Sequence, residues 1–202
     1  MTNKTKQLRR IGIYAGTFDP VHSGHVTFAL QALQATKLDK VYFLPERQPR
    51  NKRNAEHFGH RVAMLLRAIK PHPQFDVLEL VDVNFSVERT LPKLQKQFEG
   101  DQLVFLFGSD ILAGLQDWPK AEKLLAETEL VIGLRHQDNR EAMHKIIEAW
   151  PLKPKVLTMF PSYAPEVSSG RVREALRSQQ STQGILKSVE RYSNKNWLYV
   201  SL

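Results

Sequence analysis

Two histidines three residues apart are the densest chemical feature of this sequence. His22 and His25 close the run Gly16-Thr17-Phe18-Asp19-Pro20-Val21-His22-Ser23-Gly24-His25. An apolar segment of strand type precedes the run, and a segment of helical periodicity follows it. Gly16 lets the backbone turn tightly and approach a ligand, and Pro20 fixes part of the loop. Ser23 is placed to cap the helix. Both imidazoles would then face one point near a helix N-terminus, where free backbone N–H groups favour an anion. If a reaction there displaces pyrophosphate from ATP, such donors stabilise charge on the bridging and leaving oxygens, and the remaining work is alignment of two anionic reactants. No protein nucleophile is required. A His beside a helix start can also be a cap or a satisfied surface residue. A metal pair is the other reading, and it lacks the accompanying Glu pattern.

The elements that must position this run alternate between strand and helix. Apolar runs predict strands over residues 11–15, 41–44, 75–80, 103–107, 130–134 and 156–159. Helical spacing predicts helices over 26–38, 56–69, 88–98, 121–127, 139–150, 169–178 and 183–192, with Pro92 marking a first turn near Thr90. Short, uniformly apolar strands separated by helices imply an α/β fold: a Rossmann-like, doubly wound, mainly parallel sheet with helices on both faces. The chain reads as one domain over 1–202, with a flexible N-terminus over 1–9 and a C-terminal helical extension over about 165–202. Ligands in such folds bind beyond the C-terminal ends of the strands. That directs attention to 16–25, 45–52, 108–118 and from Arg135 onward.

Composition narrows the classes. The chain has 202 residues, 42% of them hydrophobic, which suffices for a proper core. It has no cysteine, so disulfides and thiolate chemistry are excluded. Neither a secretory signal nor an apolar run of membrane-spanning length is present, so the expected location is the cytoplasm, with no membrane partner. The net charge of +8 attracts nucleotides, phosphates or nucleic acid, or simply keeps the surface soluble.

The run 16–25 resembles the HxGH signature of the nucleotidyltransferase superfamily in its form Gly-Gly-Thr-Phe-Asp-Pro-x-His-x-Gly-His. Further motifs match in order: Phe43-Leu44-Pro45 with Pro49 and Lys52, His60 to Leu65, Gly108-Ser109-Asp110, Trp118, Arg135, Ser168-Ser169-Gly170-Arg171-Val172-Arg173, and Leu198-Tyr199. The resemblance spans nearly the whole chain and points to the nicotinate-mononucleotide adenylyltransferase family. It implies transfer of AMP from ATP to nicotinate or nicotinamide mononucleotide, with release of pyrophosphate, in NAD biosynthesis. It also implies roles. His22, His25, Lys52 and Arg173 would be catalytic. Gly16, Thr17, Phe18, Asp110, Ser168 and Ser169 would join His22, His25 and Arg173 around ATP. Thr17, Phe18, Lys52, Ser86, Trp118 and Arg135 would hold the mononucleotide. No protein metal site is implied; Mg²⁺ would accompany ATP, held by phosphate oxygens and water. Each position has a plainer reading too: Trp118 as a core aromatic, Asp110 as a helix cap, Arg173 as surface charge, Lys52 as part of a solvated basic loop.

The sequence departs from the family pattern at four places. Ala15 replaces the first Gly, Asn51 the usual His before Lys52, and Gly170 the usual Thr. Asn84 to Leu91 replaces a Gly-Pro-Ser-Tyr-Thr segment that helps recognise the pyridine carboxylate. A missing partner for a substrate group changes selectivity strongly, so the ATP half of the site is more fully specified than the acceptor half. The rival readings are a sibling transferase using CTP or another phosphorylated acceptor, and a non-catalytic nucleotide sensor. A nucleic-acid partner is not expected, since no RNA- or DNA-binding module is present. The oligomeric state is open, with a homo-oligomer compatible with the sequence.

Overall fold

A computed structural model describes residues 8–50, 52, 54–135, 138–164, 166–180 and 183–200. Most of the 1–9 segment and Asn51 lie outside these. Along the chain run β1 (Arg10–Gly16), α1 (Ser23–Ala35), β2 (Lys40–Pro45), α2 (Phe58–Ile69), β3 (Phe75–Val77), α3 (Val87–Gln97), β4 (Gln102–Gly108), α4 (Ala121–Glu127), β5 (Glu129–Leu134), α5 (Arg140–Glu148), β6 (Val156–Pro161), α6 (Ser169–Arg177) and α7 (Lys187–Lys195). The six strands form one sheet in the order β3-β2-β1-β4-β5-β6. Every strand pairing is parallel. No helix among the described residues is long and apolar enough to cross a membrane.

Alternation along the central strands splits the core in two. Ile11, Ile13, Leu103, Phe105 and Phe107 face one side, where Leu91 and Leu94 of α3, Leu124 of α4 and Ile147 of α5 cover them. Val104, Leu106, Val41 and Phe43 face the other, beneath α1, α2, α6 and α7. The doubly wound sheet expected from the sequence is the sheet observed. The chain leaves β1 toward β2 on one side, while β4 lies on the other. The crevice at the C-terminal ends of β1 and β4 is therefore the switch point where such folds bind ligands.

Several boundaries differ from those read in the sequence. The first helix starts at Ser23 rather than near residue 26, and His22, not Ser23, is its N-cap. The reason is that the His25 side chain accepts from the His22 N–H at 3.2 Å, closing the helix start one residue early. α3 likewise starts at Val87, with Pro92 in its interior. Burial of Val87, and Thr90 Oγ1 accepting from the Ser86 N–H at 3.1 Å, fix the earlier start. Pro92 lies on the exposed side, where water can satisfy the carbonyl it leaves unpaired. β3 ends at Val77 rather than at residue 80. Beyond it the chain turns to the loop after β2, with Gln48 N–H donating to Val83 O at 2.6 Å and Arg47 Nε to Leu80 O at 2.9 Å. The last helix is displaced to Lys187–Lys195, because Gly184 adopts φ +94 and breaks the earlier turn.

One buried cation holds the crevice loops. Arg61 of α2 is 1% exposed. Its guanidinium donates to Thr17 O at 2.6 Å, Glu56 O at 2.9 Å, Glu46 O at 2.7 Å and Arg47 O at 3.1 Å. Those carbonyls belong to the loops after β1 and β2 and the entry to α2. Burial pulls the Arg61 pKa down, opposed by the Asp19, Tyr199 and Glu46 side chains. Arg61→Met keeps the stem but leaves four inward carbonyls without a donor. Urea unfolding should show a loss of about 3 kcal/mol or more; a loss within experimental error would mean the loops hold themselves.

Candidate active site

At the C-terminal ends of the strands lies a cleft of about 940 Å³. Gly16, Thr17, Phe18, His22, His25, Lys52, Asp110, Trp118, Arg135, Ser168, Ser169 and Arg173 all line it. These twelve come from six separate stretches of chain. Ser86 is the one expected site residue not on its wall. It sits at the N-cap of α3, behind Phe85, which does line the cleft.

The histidines sit at the start of α1 with their rings stacked, centroids 3.7 Å apart and planes 29° apart. His25 Nδ1 accepts the His22 N–H, so in the neutral ring the proton is assigned to Nε2, which is then a donor. His22 Nδ1 is buried with no hydrogen-bond partner among the described residues. Burial lowers the His22 pKa to about 4. Burial pulls His25 well below its ordinary value too, aided by His22, Lys52 and Arg135. Near neutral pH the pair therefore acts as uncharged hydrogen-bonding groups. Gly24 makes the stack possible: a Cβ there would lie 3.0 Å from His22 Nδ1 and 3.4 Å from Ala164 O. Tyr14 and Phe18 support the His25 ring, with centroids 6.0 and 5.1 Å away.

Asp19 ties the loop to the C-terminal part of the chain. Its Oδ1 accepts from Tyr199 OH at 2.7 Å and from the Glu56 N–H at 3.3 Å. Arg173 donates to Asp19 O at 2.6 Å, with Asp19 Oδ2 at 3.8 Å. Ser169 Oγ donates to Pro20 O at 3.0 Å, and Ser168 Oγ caps α6 by accepting from the Arg171 N–H at 3.3 Å. The N-terminus of α6 thus opens onto the cleft beside the histidines.

On the far wall Asp110 sits in a short turn after β4, and its carboxylate meets Arg135 at 3.1 Å. Gly108 gives that carboxylate room: a Cβ would lie 2.6 Å from Asp110 Oδ1. Asp138 braces this wall, accepting from the Arg135 N–H at 2.6 Å and from Ser109 Oγ. Trp118 packs edge-on against Phe107, centroids 5.8 Å apart, and near Phe85 at 6.2 Å. Ala15 lies within β1 and has no left-handed backbone, so the missing Gly costs no strain. At Gly170 a Cβ would come no nearer than 3.8 Å to Ser168 Oγ, so the position has room for the side chain it lacks.

Sequence reasoning missed Arg61, Asp19, Tyr199 and Asp138 as positioning groups, and Glu46 and Arg50 as lining residues. Arg50 donates to Asn84 Oδ1 and Phe85 O, both at 3.2 Å, and Glu46 Oε1 accepts from the Phe85 N–H at 3.1 Å. Glu46 sits beside the matched Pro45 and Arg50 within the basic run, yet neither has a local signature of its contacts.

The sequence model of the family described as Cytidylyltransferase-like matches residues 13–175. A Bacillus subtilis protein named nicotinate-nucleotide adenylyltransferase is 33% identical over 96% of this chain and 100% of its own. A Neisseria meningitidis protein named probable nicotinate-nucleotide adenylyltransferase is 31% identical over 95% and 99%. The chain belongs to the nicotinate-nucleotide adenylyltransferase family. A solved Plasmodium falciparum nicotinic acid mononucleotide adenylyltransferase, complexed with NaAD, has the same fold at TM-score 0.76 and 23% identity, covering 95% of this chain and 97% of that one. The family's HxGH run is here the start of α1, and the sheet that carries it has its switch point directly beside it.

Two outcomes follow from the histidine geometry. Gly24→Ala should hold or raise the melting temperature, since Ala favours a helix, while turnover falls about tenfold or more because the His22 ring must shift. Unchanged turnover would show that the stack is not required. The lowered His22 pKa also has a stability sign: between about 4 and 6.5 the unfolded chain binds a proton that the folded chain refuses. The His22 contribution is complete above pH 6.5 and is lost as pH falls toward 4. Between pH 7 and pH 5 the wild type should lose more stability in urea than His22→Gln; equal losses would mean His22 titrates normally.

Proposed function

We infer that this chain is a nucleotidyltransferase of NAD biosynthesis that transfers AMP from ATP to a pyridine mononucleotide, nicotinate or nicotinamide mononucleotide, releasing pyrophosphate. The observation that carries this reading is the neutral, stacked His22–His25 pair at the head of α1, inside a switch-point cleft lined by cations from three other segments. The full-length relatedness to a protein named for this activity supports it.

In the reaction a phosphate oxygen of the mononucleotide attacks the α-phosphorus of ATP. The bond from that phosphorus to the bridging oxygen breaks, and pyrophosphate leaves with the electron pair. The reactants are both anionic, so the chain must hold them in line and spread their charge. His25 Nε2–H is assigned to the phosphoryl oxygens and His22 to the neighbouring phosphates. Lys52 and Arg173 neutralise charge, and Ser168 and Ser169 bring the α6 N-terminus to the triphosphate. Gly16, Thr17 and Phe18 let backbone approach the reacting phosphate. Asp110 takes ribose hydroxyls, Arg135 the mononucleotide phosphate and Trp118 the pyridine face; substrates would replace the Asp110–Arg135 bond. Ser86 acts, in this reading, through the wall it caps. Mg²⁺ enters with ATP, held by phosphate oxygens and water. Among the described residues no three His, Asp or Glu are gathered to hold it. Such an enzyme works in the cytoplasm on soluble nucleotides.

Pyrophosphate release should require ATP, Mg²⁺ and a pyridine mononucleotide together. His25→Ala should lower kcat about 100-fold or more, the cost of removing one preorganised donor to developing charge. CTP in place of ATP should turn over poorly. ATP binding with no release for any phosphorylated acceptor would instead mark a nucleotide sensor.

A further inference from the structure

A phenol opens onto the floor of the cleft. Tyr14, near the end of β1, is among its lining residues. Three rings enclose its own: Phe18 edge-on at 5.3 Å, Phe28 edge-on at 5.4 Å, and Phe43, its register partner in β2, tilted at 5.4 Å. Close packing on a strand leaves such a ring little freedom, so the direction of the hydroxyl is set before a ligand arrives. Among the described residues the hydroxyl has no hydrogen-bond partner. It is not one of the buried orphan atoms there either, which are His22 Nδ1 and Trp150 Nε1. The Tyr14 hydroxyl is therefore reachable from the cleft, and a ligand oxygen can take its proton as a hydrogen bond.

Its neighbours say which oxygen. The His25 ring lies 6.0 Å from the Tyr14 ring, centroid to centroid. Asp110 and Arg135 are close enough for both their charges to act on the hydroxyl. The histidines are assigned to phosphates and Asp110 to ribose hydroxyls. The part of ATP that joins those two is the α-phosphate, the group transferred. We propose, resting on the adenylyl-transfer reading above, that Tyr14 is a further catalytic residue whose hydroxyl donates a hydrogen bond to a non-bridging oxygen of the ATP α-phosphate. The proton stays on the phenol throughout. Burial, with the Asp110 carboxylate, pushes the hydroxyl well above its ordinary pKa against the pull of Arg135, so it remains an uncharged donor. The oxygens of the transferred phosphoryl group share the charge of the transition state. A donor already aimed at one of them acts without reorganisation during the step.

The test is single-turnover adenylyl transfer in the wild type and Tyr14→Phe, with enzyme in excess over ATP so that product release does not enter the rate. The acceptor is whichever of nicotinate and nicotinamide mononucleotide the wild type uses faster. Each protein receives ATP and, separately, the two diastereomers of its α-thio analogue. In these sulfur, a weak hydrogen-bond acceptor, replaces one or the other non-bridging α-oxygen. Tyr14→Phe keeps the ring that supports His25, so the melting temperature should hold. With ATP the rate at saturating enzyme should fall at least about tenfold, while the half-saturating enzyme concentration stays within about threefold. For one diastereomer the penalty for sulfur should shrink at least about fivefold in Tyr14→Phe, because the bond that sulfur weakens is already gone. A saturated rate unmoved by Tyr14→Phe overturns the proposal. So does a slower rate with both sulfur penalties unchanged, which would make the hydroxyl a packing group; in either case adenylyl transfer stands. Transfer to neither acceptor in the wild type defeats the adenylyl-transfer reading, and the role of Tyr14 with it.

Discussion

A guanidinium sealed beneath the cleft is what the rest of the site depends on. Removing a charge from water costs several kcal/mol, and Arg61 forms no ion pair within 4 Å among the described residues to offset it. It uses carbonyls instead, and hydrogen bonds from a charged donor are the strong ones. The consequence is geometric. Each carbonyl belongs to a loop segment that carries a site group: Thr17 beside Phe18, Glu46 and Arg47 before Lys52, Glu56 at the entry to α2. Two loops from adjacent strands are thereby held at one separation before any ligand arrives. Preorganisation of this kind lets donors act on developing charge without a reorganisation cost during the reaction.

Asp19 extends the constraint to the end of the chain. It stands near Arg61, takes the Tyr199 hydroxyl, and lies within reach of Arg173, so the loop after β1 is complete only when α6, α7 and the terminal Leu198-Tyr199 have docked. Burial and the neighbouring carboxylate push the Tyr199 hydroxyl far above its ordinary pKa, keeping it a donor at any working pH. Tyr199 adopts φ +63 and Trp197 φ +54, and between them Leu198 is buried. The segment over 196–199 bends back to make this contact, which couples it to the first loop of the site.

What was legible in the sequence followed from local physics. Apolar runs separated by helical spacing specify a doubly wound sheet, because a strand buried on both faces leaves no polar position to alternate. The run from Gly16 to His25 was legible because Gly, Pro and His at fixed offsets constrain one turn. What was hidden depended on long-range bonds. Arg61 within α2 reads as an ordinary charged helix position, and only the folded chain shows four carbonyls converging on it. Glu46 and Arg50 read as members of a polar loop, since their partners lie 34 to 39 residues away. Ser23 was the expected cap because Ser outranks His on general preference. The His25 ring reaching back to the His22 N–H overrode that preference by a bond available only to this pair. Pro92 misled for a similar reason: Ser86, Thr90 and buried Val87 together outweighed one missing hydrogen bond.

The neutrality of the two histidines fits the proposed chemistry better than a charged pair would. Triphosphate, mononucleotide and product pyrophosphate are all strongly anionic, so fixed positive charge at the reacting centre would bind ground state, transition state and product alike, and uniform binding does not speed the chemical step. Here the fixed charges stand on longer, more exposed side chains at the rim, Lys52, Arg135 and Arg173, which draw anions in and can let them go. The imidazoles at the centre, His22 buried and His25 half-buried, contribute directional hydrogen bonds that strengthen as charge concentrates on the oxygens they face. Burial keeps them uncharged, and burial is what the stack, Gly24 and the aromatic wall of Tyr14 and Phe18 provide. The packing of the β1–α1 junction and the protonation state of its histidines are thus two expressions of one arrangement.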